Sequence, residues 1–203
     1  MKKALIIFVR KPELGKVKSR LAATIGNENA LAVYIELLKH TNEISAAIRA
    51  EKFVFYFDDI VADDIWSGSN FIKRQQSSGD LGEKMQNAFS TLFKEGYNQV
   101  VIIGSDCPEL TTAIIEDAFE MVKQNDLVIG PANDGGYYLL GMKKLYPQLF
   151  KNVQWSTEKV LAKTLAASTS AGLSCSLLPQ LTDIDIEADL NSVQYLFSRK
   201  VAT

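Results

Sequence analysis

Ala4-Leu5-Ile6-Ile7-Phe8-Val9 is an unbroken apolar run of strand length, and Arg10-Lys11-Pro12-Glu13-Leu14-Gly15-Lys16-Val17-Lys18-Ser19-Arg20 follows it at once. A continuous run without polar alternation is what a strand buried on both faces requires. The segment after it holds Arg10, Lys11, Lys16, Lys18 and Arg20 against Glu13 alone, an excess of +4 in a chain whose formal net charge is -2. Gly15 permits close backbone approach to a ligand. Lysine and arginine bind phosphate as point charge and as fork. A polyphosphate is the natural complement of such a loop. Its glycine and lysine spacing is not that of a Walker A loop.

Outward from this pair, short apolar runs alternate with amphipathic stretches. Phe53 to Phe57, Phe71 to Gln75, Gln99 to Ile103, Leu127 to Ile129, Tyr137 to Gly141 and Leu173 to Leu178 read as strands. Helical spacing follows Asn27, Asp80, Thr111 or Thr112, Ser156 and Asp185, each a residue able to cap a helix. Leu190, Val193 and Phe197 form the inward face of the last helix. Residues 10–26 read as a charged loop, which places Lys18 and Arg20 on an exposed surface. Residues 132–155 break the alternation and read as a small inserted hairpin or lid. The pattern implies an α/β fold with a mostly parallel sheet and helices on both faces, in one domain over residues 1–203.

Composition excludes several classes. Lys+Arg number 22 against 24 Asp+Glu, too balanced for a protein that coats nucleic acid. Hydrophobic residues are 47% and charged residues 23%, as in ordinary globular chains. Two cysteines, Cys107 and Cys175, make no disulfide framework. The single histidine, His40, rules out a site built on two histidine ligands. The apolar run at the N-terminus is too short for a secretion signal, and none approaches the ~20 residues that span a bilayer. The expectation is a cytoplasmic protein with no nucleic-acid partner and no transmembrane segment. Exposed edge strands or the 132–155 segment offer surfaces for a homodimer.

Ligands of open α/β sheets bind at the carboxyl ends of the strands, and the unusual residues here cluster there. Asp106 follows Val100-Val101-Ile102-Ile103-Gly104-Ser105, and an acid at that place is poised for a cation. Mg²⁺ is commonly held by one or two carboxylates together with substrate phosphates. The alternative is an aspartate that shapes its own turn. Asp134-Gly135-Gly136-Tyr137-Tyr138 reads as a hairpin turn that also lines a pocket. Gly79-Asp80-Leu81-Gly82 stands at a helix start, where free N–H groups meet anions or Asp80 simply caps. Asp183 and Asp185 share one face of an extended segment, as second metal ligand or as cap and surface charge. Cys107 lacks a histidine partner, so a cysteine nucleophile is not indicated.

Arg10-Lys11-Pro12 through Gly15, Lys18-Ser19-Arg20-Leu21, Gly79-Asp80-Leu81-Gly82, Gly104-Ser105-Asp106-Cys107-Pro108 and Asp134-Gly135-Gly136-Tyr137-Tyr138-Leu139-Leu140-Gly141 together resemble one family. It is the bacterial glycosyltransferase-A-type family related to nucleotide-diphospho-sugar transferases. More distantly the chain is similar to guanylyltransferases acting on phospholactate and on molybdopterin. The resemblance implies a GT-A fold, a Rossmann-like nucleotide-binding half joined to an acceptor-binding half. It implies phosphate binding by Gly15, Lys18 and Arg20, and a divalent metal, Mg²⁺ or Mn²⁺, on Asp106 with Asp183 or Asp185. One departure matters: Gly104 and Pro108 stand where a glycosyltransferase Asp-x-Asp would need a second acid.

The resulting assignment makes Asp106, Lys18 and Arg20 the chemical centre. Arg10, Lys11, Gly15, Gly79 and Asp80 join Lys18 and Arg20 around the nucleotide. Asp134, Gly135, Gly136 and Tyr137 face the acceptor. Nucleotidyl transfer from a nucleoside triphosphate to a phosphorylated acceptor is the leading expectation, because the dense cation loop and lone Asp106 suit a triphosphate. Glycosyl transfer from a nucleotide sugar is the alternative, and a non-catalytic nucleotide-binding module is a third reading.

Overall fold

The computed structural model describes residues 2–68 and 70–198, with side chains described as far as Val193 in the last helix. Among these residues, strands β1 (Lys3–Val9), β2 (Glu51–Tyr56), β3 (Phe71–Gln75), β4 (Gln99–Ile103), β5 (Leu127–Pro131), β6 (Tyr137–Met142) and β7 (Cys175–Leu177) form one sheet. Its order is β3-β2-β1-β4-β6-β5-β7. Every pairing is parallel except those of β6, which runs antiparallel between β4 and β5. The helices are α1 (Ser19–Ile25), α2 (Asn27–Ala46), α3 (Leu81–Lys94), α4 (Thr112–Gln124), α5 (Val160–Ser170) and α6 (Glu187–Ser198).

Strand alternation distributes β1 between two apolar layers. Leu5, Ile7 and Val9 pack with Tyr34 and Leu38 of α2 and Phe119 of α4. Ala4 and Ile6 pack on the other face with Met85, Phe89 and Leu92 of α3. Both faces are covered, so residues 4–9 and 100–103 are apolar throughout, and Gln99 at the start of β4 is the buried polar exception. A third cluster places Ile184 and Val193 against Leu21, Ala30 and Leu37. That cluster docks the C-terminal segment on α1 and α2, and it brings Asp183 and Asp185 back to the first loop.

The expectation of an inserted hairpin or lid over residues 132–155 is corrected: that segment holds β6, an integral strand of the sheet, which forms a hairpin with β5 just before it. The chain reaches β5 from β4 through α4 and leaves a gap of one strand, which β6 fills. Gly141 makes this possible: a Cβ there would come within 3.0 Å of Val122 Cγ2 on α4.

Three local readings are corrected. Residues 19–25 are helical, with Leu21 as the buried anchor, although the surrounding charge pattern reads as loop. Gly26, at φ 85°, precedes α2, and Asn27 is its first residue. Ser156 has φ 60° and caps nothing; α5 begins after Lys159. Asp80 and Thr111 cap α3 and α4 as expected. The side chain of Phe197 lies outside the described residues. No described helix is long and apolar enough to cross a membrane.

Candidate active site

β1 and β4 are neighbours, yet the chain turns one way after β1, toward β2, and the other way beyond β4. Such a reversal opens a crevice at the carboxyl ends of the two strands, the usual ligand place in an open α/β sheet. The first loop and the Asp106 loop face each other across it.

Lys18 closes the crevice. Its Nζ donates to Asp106 Oδ2 at 3.0 Å and to the carbonyl of Ile184 at 2.6 Å. The expected exposed loop position is corrected here, because the Lys18 side chain retains only 8% of its surface. Its backbone sits at φ 48°, a left-handed conformation uncommon for a residue with a side chain. That turn, one residue before α1, aims the side chain inward while Lys16 stays in solvent. Burial alone would push the Lys18 ammonium pKa down, but Asp106, and more distantly Asp185 and Asp183, outweigh it and raise it. Arg20 takes the partner next to Ile184: its Nη1 donates to Asp185 Oδ2 at 2.6 Å on the surface.

The Asp106 loop is held from several sides. Its carbonyl accepts from Ile184 N–H at 2.9 Å. Gly104 leaves room for the carboxylate, since a Cβ there would lie 2.8 Å from Asp106 Oδ1. Tyr34 bridges the two loops: its hydroxyl accepts from Arg10 N–H at 2.9 Å and lies 3.5 Å from Ser105 Oγ. Nothing in the sequence marked Tyr34 for this, because its helical spacing reads only as core.

Asp183 is the electrostatic anomaly. One carboxylate oxygen, Oδ1, is enclosed and has no hydrogen-bond partner. Burial first, then the charges of Asp106 and Asp134, hold its pKa well above the ordinary carboxylate value. Burial first, then the charges of Asp183 and Asp106, push the neighbouring Cys107 thiol up. Asp185 does not cap α6; Asp189 reaches back to the N–H groups of Asp185 and Ile186 at 3.0 and 2.9 Å.

Other assigned residues lie around this centre with separate duties. Lys11 and Lys16 both pair with Glu13 at 2.6 Å, and these lysines hold the Glu13 pKa down to about 2. These three residues carry +1 of the loop's +4, and Arg10, Lys18 and Arg20 carry the other +3. Gly15 has φ 75°. Arg10 lies over Phe57 at 3.9 Å, and Lys84 over the same ring at 3.8 Å. Asp80 and Glu83 form a reciprocal capping box, and Gly79 is required because a Cβ would meet Glu83 Oε2 at 2.2 Å. Asp134 Oδ1 accepts from Gly136 N–H at 2.8 Å and shapes the turn. Gly135 packs against the backbone of Glu158, with 2.3 Å left for a Cβ. The ring of Tyr137 packs in the α3 layer, and burial pushes its phenol pKa up. His40 Nε2 lies 2.9 Å from the carbonyl oxygen of Leu110. A small apolar cavity of about 70 Å³ beside Trp66 and Ile65 has neither Lys18 nor Asp106 in its lining.

Comparison with known proteins agrees with this architecture. A crystal structure from Desulfovibrio desulfuricans G20, provisionally named a nucleotide-diphospho-sugar transferase, superposes with a TM-score of 0.88 at 32% identity, covering 95% of this chain and 87% of that one. The sheet is thus of the Rossmann-like GT-A kind. The 2-phospho-L-lactate guanylyltransferase of Methanocaldococcus vulcanius is 24% identical over 143 residues, 68% of this chain and 61% of the relative. That of Methanocaldococcus jannaschii is 27% identical over 134 residues, 64% of this chain and 56% of the relative. The chain therefore spans less than two thirds of the length of these curated relatives. A family model matches residues 40–157, which include Asp106 and Asp134 but neither Lys18 nor Asp183. With more than half of its length in that match, the chain belongs to the DUF2064 family, described as uncharacterised proteins conserved in bacteria.

Proposed function

We propose that this protein is a transferase that moves a nucleotidyl group from a nucleoside triphosphate to a phosphorylated acceptor. The observation that carries the reading is the 3.0 Å contact between Lys18 and Asp106, which joins the cationic first loop to the lone mid-chain carboxylate at a strand-end crevice. The guanylyltransferase names of the curated relatives support it. Residues 1–203 act as one unit in this reading, since both strand-end loops and the C-terminal segment contribute to one centre.

A divalent cation, Mg²⁺ or Mn²⁺, fits the residues present. Asp106 and Asp183 supply hard oxygen donors, and the unpartnered Oδ1 of Asp183 is an acceptor awaiting a donor or a metal. No group of three or more His, Cys, Asp or Glu converges among the described residues, so substrate oxygens would complete the shell. When bound, the cation would neutralise phosphate charge and orient its oxygens. Asp185, paired with Arg20, stands outside that pair.

In the transfer, a phosphate oxygen of the acceptor forms a bond to the α-phosphorus of the triphosphate. The bond from that phosphorus to the bridging oxygen of the β-phosphate breaks, and pyrophosphate leaves. Lys18 and Arg20 hold phosphate oxygens and stabilise the charge that develops on them. Arg10, Gly15, Gly79 and Asp80 line the nucleotide side, with Lys11 at its rim. Asp134, Gly135 and Gly136 order the acceptor side. The chemistry asked of the chain is positioning and electrostatics.

Pyrophosphate release with each nucleoside triphosphate, Mg²⁺ and a set of phosphorylated small acids tests the reading, with Asp106→Ala as the control expected to abolish turnover. A second reading, glycosyl transfer, draws on the name of the Desulfovibrio structure. Thermal stabilisation by nucleotide sugars alone, without pyrophosphate release from any triphosphate, would favour it. Metal-independent nucleotide affinity that survives Asp106→Ala would instead indicate a binding module.

A further inference from the structure

We infer that Lys18 is a resident counter-ion that keeps a divalent cation off Asp106 and Asp183 until nucleotide phosphates draw it away, so that metal and nucleotide enter together. The inference rests on the reading of Asp106 and Asp183 as the metal-holding pair, and it adds an order of binding to that reading.

The geometry sets up a competition. Lys18 Nζ lies 3.0 Å from Asp106 Oδ2, where an arriving cation would need that same oxygen. Ile184 O fixes the ammonium from a second side at 2.6 Å. The left-handed backbone at φ 48° commits the side chain inward, whereas Lys16 and Arg20 keep 72% and 65% of theirs in solvent. A free metal ion must displace a buried, doubly bonded ammonium to reach Asp106.

Charge explains why the arrangement is not final. The one ammonium pairs with Asp106 at 3.0 Å, while Asp183 Oδ1, more distant, has no partner. A doubly charged ion matches the two carboxylates; a singly charged one does not. A triphosphate brings the missing half of the exchange, because its oxygens give the displaced ammonium a new partner. The flexible lysine stem allows that swing with α1 in place.

The test uses Mn²⁺ as the probe, with the loss of its free-ion paramagnetic resonance signal as readout. Wild type, Lys18→Met and Lys18→Gln are titrated without nucleotide. The glutamine amide keeps a donor for Ile184 O, and circular dichroism verifies folding. Both variants should bind Mn²⁺ about tenfold tighter or more, the scale of one charge-assisted hydrogen bond. Wild type alone is then titrated with and without a guanosine triphosphate analogue bridged by methylene between α- and β-phosphorus. Its Mn²⁺ affinity should rise beyond chelation by the analogue itself. Wild type that binds Mn²⁺ as tightly as the variants, or gains nothing from the analogue, overturns the inference and leaves the metal pair standing. Absence of Mn²⁺ binding in every protein, with and without analogue, overturns both.

Discussion

Replacing Asp183 by Asn should make the protein more stable at neutral and alkaline pH. Asp183 carries an enclosed oxygen with no partner and lies in the field of Asp106 and Asp134. Its folded pKa is raised, so the native state binds the proton more tightly than the unfolded chain. Stability is therefore full below the ordinary carboxylate value and is lost as pH rises through the raised one. Asparagine cannot ionise and avoids that loss. Leaving a buried polar atom unpaired costs about 1–3 kcal/mol, and more when charged. The amide oxygen remains unpartnered, so only the charged part is relieved, about 1–2 kcal/mol. In a chain of this size that raises the unfolding midpoint by roughly 2–8 °C. The assay is thermal unfolding of both proteins by circular dichroism from pH 5 to pH 8.5. The gap should widen with pH. A variant less stable than wild type at pH 8, or a gap independent of pH, would refute the electrostatic account of this residue.

Gly104→Ala places a Cβ 2.8 Å from Asp106 Oδ1; steady-state kinetics should show a loss of turnover of at least about tenfold, while circular dichroism stays native. Arg20→Ala removes an exposed ion pair with Asp185; stability should change by about 0–1 kcal/mol, and calorimetry should show weaker nucleotide binding. Asp126 accepts from Tyr146 Oη at 2.6 Å, Ser174 N–H at 3.0 Å and Ser174 Oγ at 2.8 Å, and these bonds hold its pKa well below the usual range. Asp126→Ala should cost about 2–3 kcal/mol in urea unfolding at pH 7. Because a lowered pKa gives stability that is lost as pH falls through it, the gap should narrow in acid.

Gln99–Ile103 was legible because it is buried on both faces, and Phe71–Gln75, a half-exposed edge strand, also falls where its residues place it. Strand order was not, since an apolar run carries no direction; β6 could be recognised but not set antiparallel between β4 and β5. The short helix α1 was hidden by the charged segment that precedes it, with Leu21 as its sole buried residue. Asp106 could be picked out by its position after a buried strand. The burial of Lys18 could not, because it depends on partners 88 and 166 residues away in the chain. Tyr137 was misplaced for a related reason: a tyrosine beside a turn reads as exposed, but its ring packs into the apolar layer of α3, far off in the chain.

The docking of Ile184 on Leu21 and Leu37 also bears on how the molecule is made. On the ribosome, the sheet through β6 can pair before Ile184 has been synthesised, but until then Lys18 has no carbonyl to hold and its leucine neighbours stay wet. The candidate site accordingly gains its C-terminal side, Asp183 and Ile184, late in translation.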